Sequence, residues 1–192
     1  TQFDRIRSDL DDALKREETL AGARRTPDQA QYLETSVAQF WDASNRIFEL
    51  AREFDVDIDM HLDVGPTPDA MNIHLVRELT EKYRRGGRVV VGHMAKLSLL
   101  PPSEVAALAQ SLADTGIAVT VLPTTDLFLM GRNRDHAVVR GVADANLLAR
   151  HGVNCSLSSN NILNPATPYG DCSLIRMANL YANVLQLDRP SE

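Results

Sequence analysis

The feature that most constrains this chain is a recurrence. Four short apolar runs return at intervals of about 30 residues, each followed by a helical pattern. The runs are Val56–His61, Arg88–His93, Ile117–Leu122 and Val153–Leu157. Helical spacing of apolar residues follows from about Ala70 to Arg84, from Pro101 to Asp114, from Val142 to His151 and from Gly170 to about Leu187. Gly86-Gly87, Gly116 and Gly152 stand where helices must stop, because glycine accepts the left-handed conformation there. Strands this far apart cannot be joined by hairpins, so the pattern predicts parallel βα units. The runs are nearly all apolar, as expected of strands covered on both faces.

The connections are unequal. Those after the strands are long and chemically rich: His61 to Asp69, His93 to Ser98, Pro123 to Gly141 and Ser158 to Tyr169. Those before the strands, such as Thr115-Gly116 and His151-Gly152, are short and plain. Chemistry in parallel α/β folds collects at the carboxyl ends of strands, so the long loops are where a site is expected. No strand is followed by a glycine-rich phosphate loop. A complete (β/α)8 barrel takes about 250 residues, and this chain has 192 with four strand runs. The fold class expected is α/β: a partial (β/α)8 TIM-barrel-like array of about four parallel βα units preceded by an N-terminal helical segment.

Upstream of the first run, Phe3, Ile6, Leu10, Leu14 and Ala21 follow helical spacing in a highly charged stretch. Thr26-Pro27-Asp28-Gln29 then reads as a helix start. The apolar pattern runs on through Val37, Phe40, Trp41, Ile47, Phe48, Ala51 and Phe54, as a long helix with a break expected near residue 36. The division expected is a helical segment at 1–38, half of a barrel at 39–187 and a tail at 188–192.

The net charge of −6 argues against a nucleic-acid partner, since phosphate binding needs a basic surface. No apolar run approaches the ~18 residues of a membrane span. The first residues do not read as a signal peptide, and the missing initiator Met suggests a trimmed start. A cytoplasmic location is the expectation. Cys155 and Cys172 match no zinc or redox spacing and read as free thiols.

His61 and His93 each end a strand run. Adjacent strand ends in a barrel lie close enough for two imidazoles to share one Zn²⁺ or Fe²⁺, while two loop histidines without a metal are the plainer alternative. Asp63, two residues on, can orient a ligand or move a proton, or else cap the following loop. Asp126 lies in the stretch Pro123 to Arg132, whose apolar content suggests a loop folded over a pocket; this makes Asp126 a substrate-facing candidate. Arg132 can meet an anionic or carbonyl group or form a surface ion pair. Asn160 and Asn161 are adjacent amides at a strand end, suited to a ring with amide edges or simply to a turn. His74, His136 and His151 read as structural or solvated.

Several separated motifs resemble the amidohydrolase superfamily, its cytosine-deaminase-like members above all. They are Gly92-His93, Gly116-Ile117-Ala118-Val119, Pro123 with Leu129-Met130-Gly131-Arg132, Arg140-Gly141-Val142, and Gly152-Val153-Asn154 through Asn164-Pro165 to Tyr169-Gly170. They occur in the family's order over roughly residues 40 to 187 and correspond to strands five to eight of its barrel. The resemblance implies a metal-dependent hydrolase of non-peptide C–N bonds that deaminates a small cyclic amine or amide. It places a metal-binding histidine on His61, a histidine beside the metal-bound hydroxide on His93, a strand-eight metal ligand on Asn160 and a neighbouring substrate-side acid on Asn161. The family's proton-shuttling glutamate falls on Val64, which leaves Asp63 as the candidate for that work.

These departures weaken the implied site. An amide is a poor metal ligand and not a base, and one histidine with one amide is short of the three protein ligands typical of catalytic zinc. The resemblance implies a divalent metal, zinc or iron, for which this chain's own ligands fall short. The partner expected is a small molecule, with the missing barrel half or an oligomeric partner needed to complete the fold. The expectation is an incomplete or inactive portion of a deaminase; the alternative is a non-catalytic homologue that only binds a small ligand.

Overall fold

The structure is a computed structural model and describes residues 27–132 and 134–189. The helix expected before residue 26 and the end of the tail lie outside the described residues.

Helix α1 (Pro27–Glu53) runs unbroken through residue 36 and across the expected boundary at 38. Trp41, Ser44, Phe48 and Ala51, spaced by three and four, form its buried stripe. Phe40, Ile47 and Phe54, expected on the same face, are exposed. The helix closes on Asp55, whose φ of 51° does the work of a C-terminal glycine, and Val56 N–H donates to the Ala51 carbonyl at 3.0 Å.

The βα units follow in the expected order: β1 (Ile58–Leu62), α2 (Ile73–Lys82), β2 (Val89–His93), α3 (Pro102–Thr115) and β3 (Ile117–Val121). Next come α4 (Pro123–Leu129), α5 (Ala145–Arg150), β4 (Cys155–Leu157) and α6 (Leu174–Leu185). A 3-10 turn at Ala95–Leu99 follows β2. Helix α4 falls where a loop was expected. Pro123 suits a first helical turn, and the apolar content of Leu127 to Leu129 belongs to a helix rather than to a folded-over loop.

All four strands are parallel, in the order β1-β2-β3-β4. A doubly wound sheet reverses its strand order at a switch point. This one does not, and winds in the sense of a barrel wall. The helix-facing side carries Ile58, Leu62, Val89, Val91, Ile117, Val119 and Val121, packed against Phe48, Ile73, Val76, Leu79, Leu112 and Leu148. Full burial of each such side chain is worth about 1.5–3 kcal/mol.

The opposite face differs from the apolar expectation. The register sets His61, Gly92, Thr120 and Ser156 in one row, with Asp59, Val90 and Ala118 in the row below. These residues are small or polar, and Asp59, His61 and Ser156 are exposed. The Thr120 and Ser156 hydroxyls lie 2.9 Å apart across the strands. The array is therefore a wall with one greasy side and one open, hydrophilic side.

At the amino ends of the strands the chain is tightly clasped. Gly87 N–H donates to the Gly116 carbonyl at 2.8 Å. Gly116 has φ 69°, and a Cβ there would stand 2.8 Å from the Gly87 nitrogen, so only glycine fits. Arg88 bridges Asp55 and Asp57 at the same end, and Arg85 joins Asp55 at 3.4 Å.

Candidate active site

The site is built at the carboxyl ends of β1, β2 and β3. His61 is the fourth residue of β1 and projects onto the open face. Its neighbour across the register is Gly92. A Cβ at Gly92 would come within 3.0 Å of His61 Cδ2 and 3.1 Å of Nε2, so the imidazole lies against β2 only because that position is glycine.

His93 ends β2 opposite Leu62, which is buried on the helix side. Strict alternation would send His93 the same way. Instead His93 (φ 75°) and Met94 (φ 57°) are consecutive left-handed residues, a costly arrangement that breaks the alternation. The two imidazoles meet edge to face, with ring centroids 4.9 Å apart and His61 Nδ1 3.1 Å from His93 Nε2. The other His93 nitrogen, Nδ1, lies 2.6 Å from Asp126 Oδ1.

Asp126 occupies the first turn of α4 and is completely buried. Burial raises its carboxyl above the usual range, and the hydrogen bond and charge of His93 oppose that rise. Its second oxygen, Oδ2, is buried with no hydrogen-bond partner. Expected beside the substrate, Asp126 is placed behind His93 instead. His61, His93 and Asp126 thus form one contact chain running from the open face into the core.

Asp63 leaves β1 with φ 58° and turns away from this chain. Its Oδ1 accepts the Asn72 N–H at 2.7 Å and its Oδ2 accepts the Ile73 N–H at 3.0 Å. Its carbonyl accepts the Lys96 N–H at 2.9 Å. The residue ties the loop after β1 to the start of α2 and to the turn after β2. Burial raises its carboxyl, and the two backbone N–H groups oppose this.

Asn160 has φ 61° and donates through Nδ2 to Thr125 Oγ1 at 3.2 Å. Thr125, next to Asp126 in the chain, shares a short hydrogen bond with the fully buried Thr167. Asn164 Oδ1 accepts the Ala166 and Thr167 N–H groups and fixes that corner. Asn161 is half-buried, and its carbonyl backs onto Gly170, where a Cβ would collide with it. Arg132 stacks its guanidinium 4.7 Å from the Phe128 ring centre.

Gly92 reads from sequence only as part of a motif with His93, and Thr125 and Thr167 are not singled out. A glycine inside an apolar strand is itself a signal of close approach, and Gly92 carried it. Thr125 and Thr167 carried none.

The described residues do not by themselves fit a catalytic divalent ion. His93 has both nitrogens engaged, Asp63 both oxygens, and Asp126 faces His93 from the core. What remains is the Nε2 of His61 and the neutral amide oxygen of Asn160. Among the described residues no three His, Cys, Asp or Glu side chains are grouped to hold a metal, where three protein ligands are typical.

A parallel βα wall with histidines at adjacent strand ends has the form of part of a barrel mouth. The amidohydrolase family model matches residues 9–191, and the chain belongs to that family. Over 147 residues it is 25% identical to a pterin deaminase from Rhizobium rhizogenes, covering 76% of this chain and 34% of that protein. The 5-methylcytosine deaminase of Klebsiella pneumoniae liganded with 5-fluorocytosine superposes with a TM-score of 0.72 at 20% identity, over 87% of this chain and 38% of that one. The N-isopropylammelide isopropylaminohydrolase of Burkholderia multivorans gives 0.63 at 22% identity, over 78% and 35%. The chain therefore spans about a third of the length of these relatives.

Proposed function

We propose that the protein containing this chain hydrolyses a non-peptide C–N bond, deaminating a small cyclic amine or amide. The observation that carries the reading is the His61–His93–Asp126 chain at adjacent strand ends in a member of the amidohydrolase family. Relatives named as deaminases and as an aminohydrolase support it. In such a hydrolysis the water oxygen bonds to the ring carbon, the C–N bond breaks, and the nitrogen leaves as ammonia or an amine. A proton must leave the water and another must reach the departing nitrogen. His93, whose Nε2 meets the exposed His61, is the group we assign to hold that proton.

Asp63 serves this reading as a clamp: both oxygens are committed to backbone N–H groups, which supports a loop-holding role over proton transfer. Asn160 and Asn161 present amides on the substrate side. A zinc or iron ion belongs to the reading only with ligands from outside the described residues, and its chemistry would be activation of water.

The test is ammonia release by the full-length protein from a panel of pterins, cytosines and aminotriazines. Turnover of at least one of these, lost by 10²-fold or more (about the contribution of one acid–base group) in His93→Ala, is the expected result. No release from any of them, with folded protein and added zinc or iron, overturns the reading. A second reading, a non-catalytic binder, is favoured by Val64 and Asn160, which offer neither base nor charge. Calorimetric binding with the ligand recovered unchanged, from protein without stoichiometric metal, is its signature.

A further inference from the structure

We propose that Asp126 is the positioning residue of His93: its buried carboxylate keeps the imidazole proton on Nδ1 and leaves Nε2, the nitrogen facing His61, free of a fixed proton. The inference deepens the proposed hydrolase reading, since it gives His93 a defined polarity at the mouth.

Three observations carry it. The 2.6 Å contact is shorter than an ordinary N–H···O bond and lies at the short edge of charge-assisted bonds to a carboxylate, so the Asp126 carboxyl and His93 Nδ1 are held in direct contact. Burial raises the Asp126 carboxyl while the hydrogen bond and charge of His93 oppose that rise; an ionised carboxyl can only accept, so the ring nitrogen facing it is the donor. The backbone is also committed: the left-handed pair His93 and Met94 swings the ring out of the strand's alternation, and Asp126, completely buried in the first turn of α4, is what meets it there. A free neutral imidazole can place its proton on either nitrogen, and only a fixed acceptor on one side chooses between them.

The orphaned Oδ2 makes the acid distinguishable from its amide. In Asp126→Asn one amide group faces His93 and the other takes the position of Oδ2, which has no partner. Leaving a carbonyl there is cheaper than leaving two N–H donors. The amide nitrogen therefore turns to His93 Nδ1, and the ring proton moves to Nε2. The same exchange in the hydrolytic triad template reverses the tautomer and lowers kcat by about 10⁴-fold.

The experiment is ¹⁵N NMR of histidine-labelled protein at neutral pH, without substrate, with His93 assigned by the resonances lost in His93→Gln. The expected result is a protonated Nδ1 in the wild type and a protonated Nε2 with bare Nδ1 in Asp126→Asn. A wild-type His93 with bare Nδ1 overturns the proposal. So does a folded Asp126→Asn protein whose tautomer is unchanged, since a space-filling role would lower stability and leave the proton where it was. Should Asp126→Asn fail to fold, the wild-type spectrum alone decides. The spectrum needs no turnover, so a protein that releases no ammonia defeats the proposed reaction without touching this result. In a protein that does, Asp126→Asn should lower kcat by about 10²–10⁴-fold with KM little changed.

Discussion

Glu78 lies on α2 with 8% of its surface exposed, and neither of its carboxylate oxygens has a hydrogen-bond partner. Burial raises the pKa of its carboxyl, Arg77 opposes the rise and Glu81 adds to it. The folded value lies above the unfolded one, so the ionised form is what folding disfavours. The penalty is full above the folded pKa and fades as the pH falls towards the ordinary glutamate value of 4.5. Glu78→Gln should therefore raise the melting temperature near neutral pH, a gain that closes in acid; thermal melts across the pH range check both parts. Gly92→Ala acts on the site: the new methyl pushes the His61 ring by a few tenths of an ångström. The expected outcome is a weakened His61–His93 contact, read in the histidine NMR spectrum, with less than about 1.5 kcal/mol lost in a denaturant titration. His61 and His93 were legible from sequence because each terminates an apolar run, and a strand's end is where parallel folds display side chains. The partnership of His93 with Asp126 was not. It depends on a left-handed backbone at His93, which no local pattern encodes, and on a helical turn at Pro123–Leu129, whose Pro123 and apolar residues read as a loop from sequence.

Among the elements, α2 is held by a residue ten positions upstream. Asp63 accepts the N–H groups of Asn72 and Ile73, the work of an N-terminal cap performed from the end of β1. Asp63→Ala should cost about 1–2 kcal/mol in a denaturant titration, as loss of a cap does. Asp63→Asn, which keeps one acceptor, should cost less. Helix ends were legible where glycine marks them, as at Gly116 after α3; the start of α5 was expected at Val142, whereas Asp144 caps it, its Oδ1 accepting the Leu147 N–H at 2.9 Å. Ends were less legible where a non-glycine takes φ above zero, as at Asp55 after α1 and Gln186 after α6. Helix α1 also shows the limit of periodicity: seven apolar positions fit a helix, yet only some of them share the buried stripe. Phe40 and Ile47 sit one residue away from Trp41 and Phe48, about 100° round the helix, and are exposed.

On the scale of the whole molecule, the order of the units was legible because helices and strands alternate at a near-constant period. The two-sided character of the wall was not. A run such as Ile58-Asp59-Met60-His61-Leu62 reads as apolar overall, while its pleat separates Ile58 and Leu62 from Asp59 and His61. The carbonyl of Asn154 and the N–H of Ser158 are given to β3. The backbone groups of Cys155 and Leu157 therefore point to the other edge of β4, into a groove of about 660 Å³ between α5 and α6. Burial pushes the Cys155 thiol up to about 11, whereas Cys172 is exposed. A thiol reagent at about pH 8 should consume one cysteine quickly and the other slowly, because the thiolate is the reacting form; mass spectrometry of the labelled peptides identifies Cys172 as the fast one.

The clasp between Gly87 and Gly116 has a consequence for what can be exchanged in this protein. It pins the amino ends of β2 and β3 through a backbone hydrogen bond, with no room for a side chain at Gly116. Gly116→Ala should thus cost more than about 1 kcal/mol whatever happens at the far end of the strands. The reverse also holds. The loops at the opposite end meet the wall through caps and hydroxyl contacts that do not touch the clasp. Transplanting the connection after β4 from a relative should leave the clasp itself intact, read as unchanged hydrogen-exchange protection of the Gly87 amide. The protein behaves as a chassis with detachable tooling: inheritance and laboratory selection can retool one end while the other keeps the frame aligned.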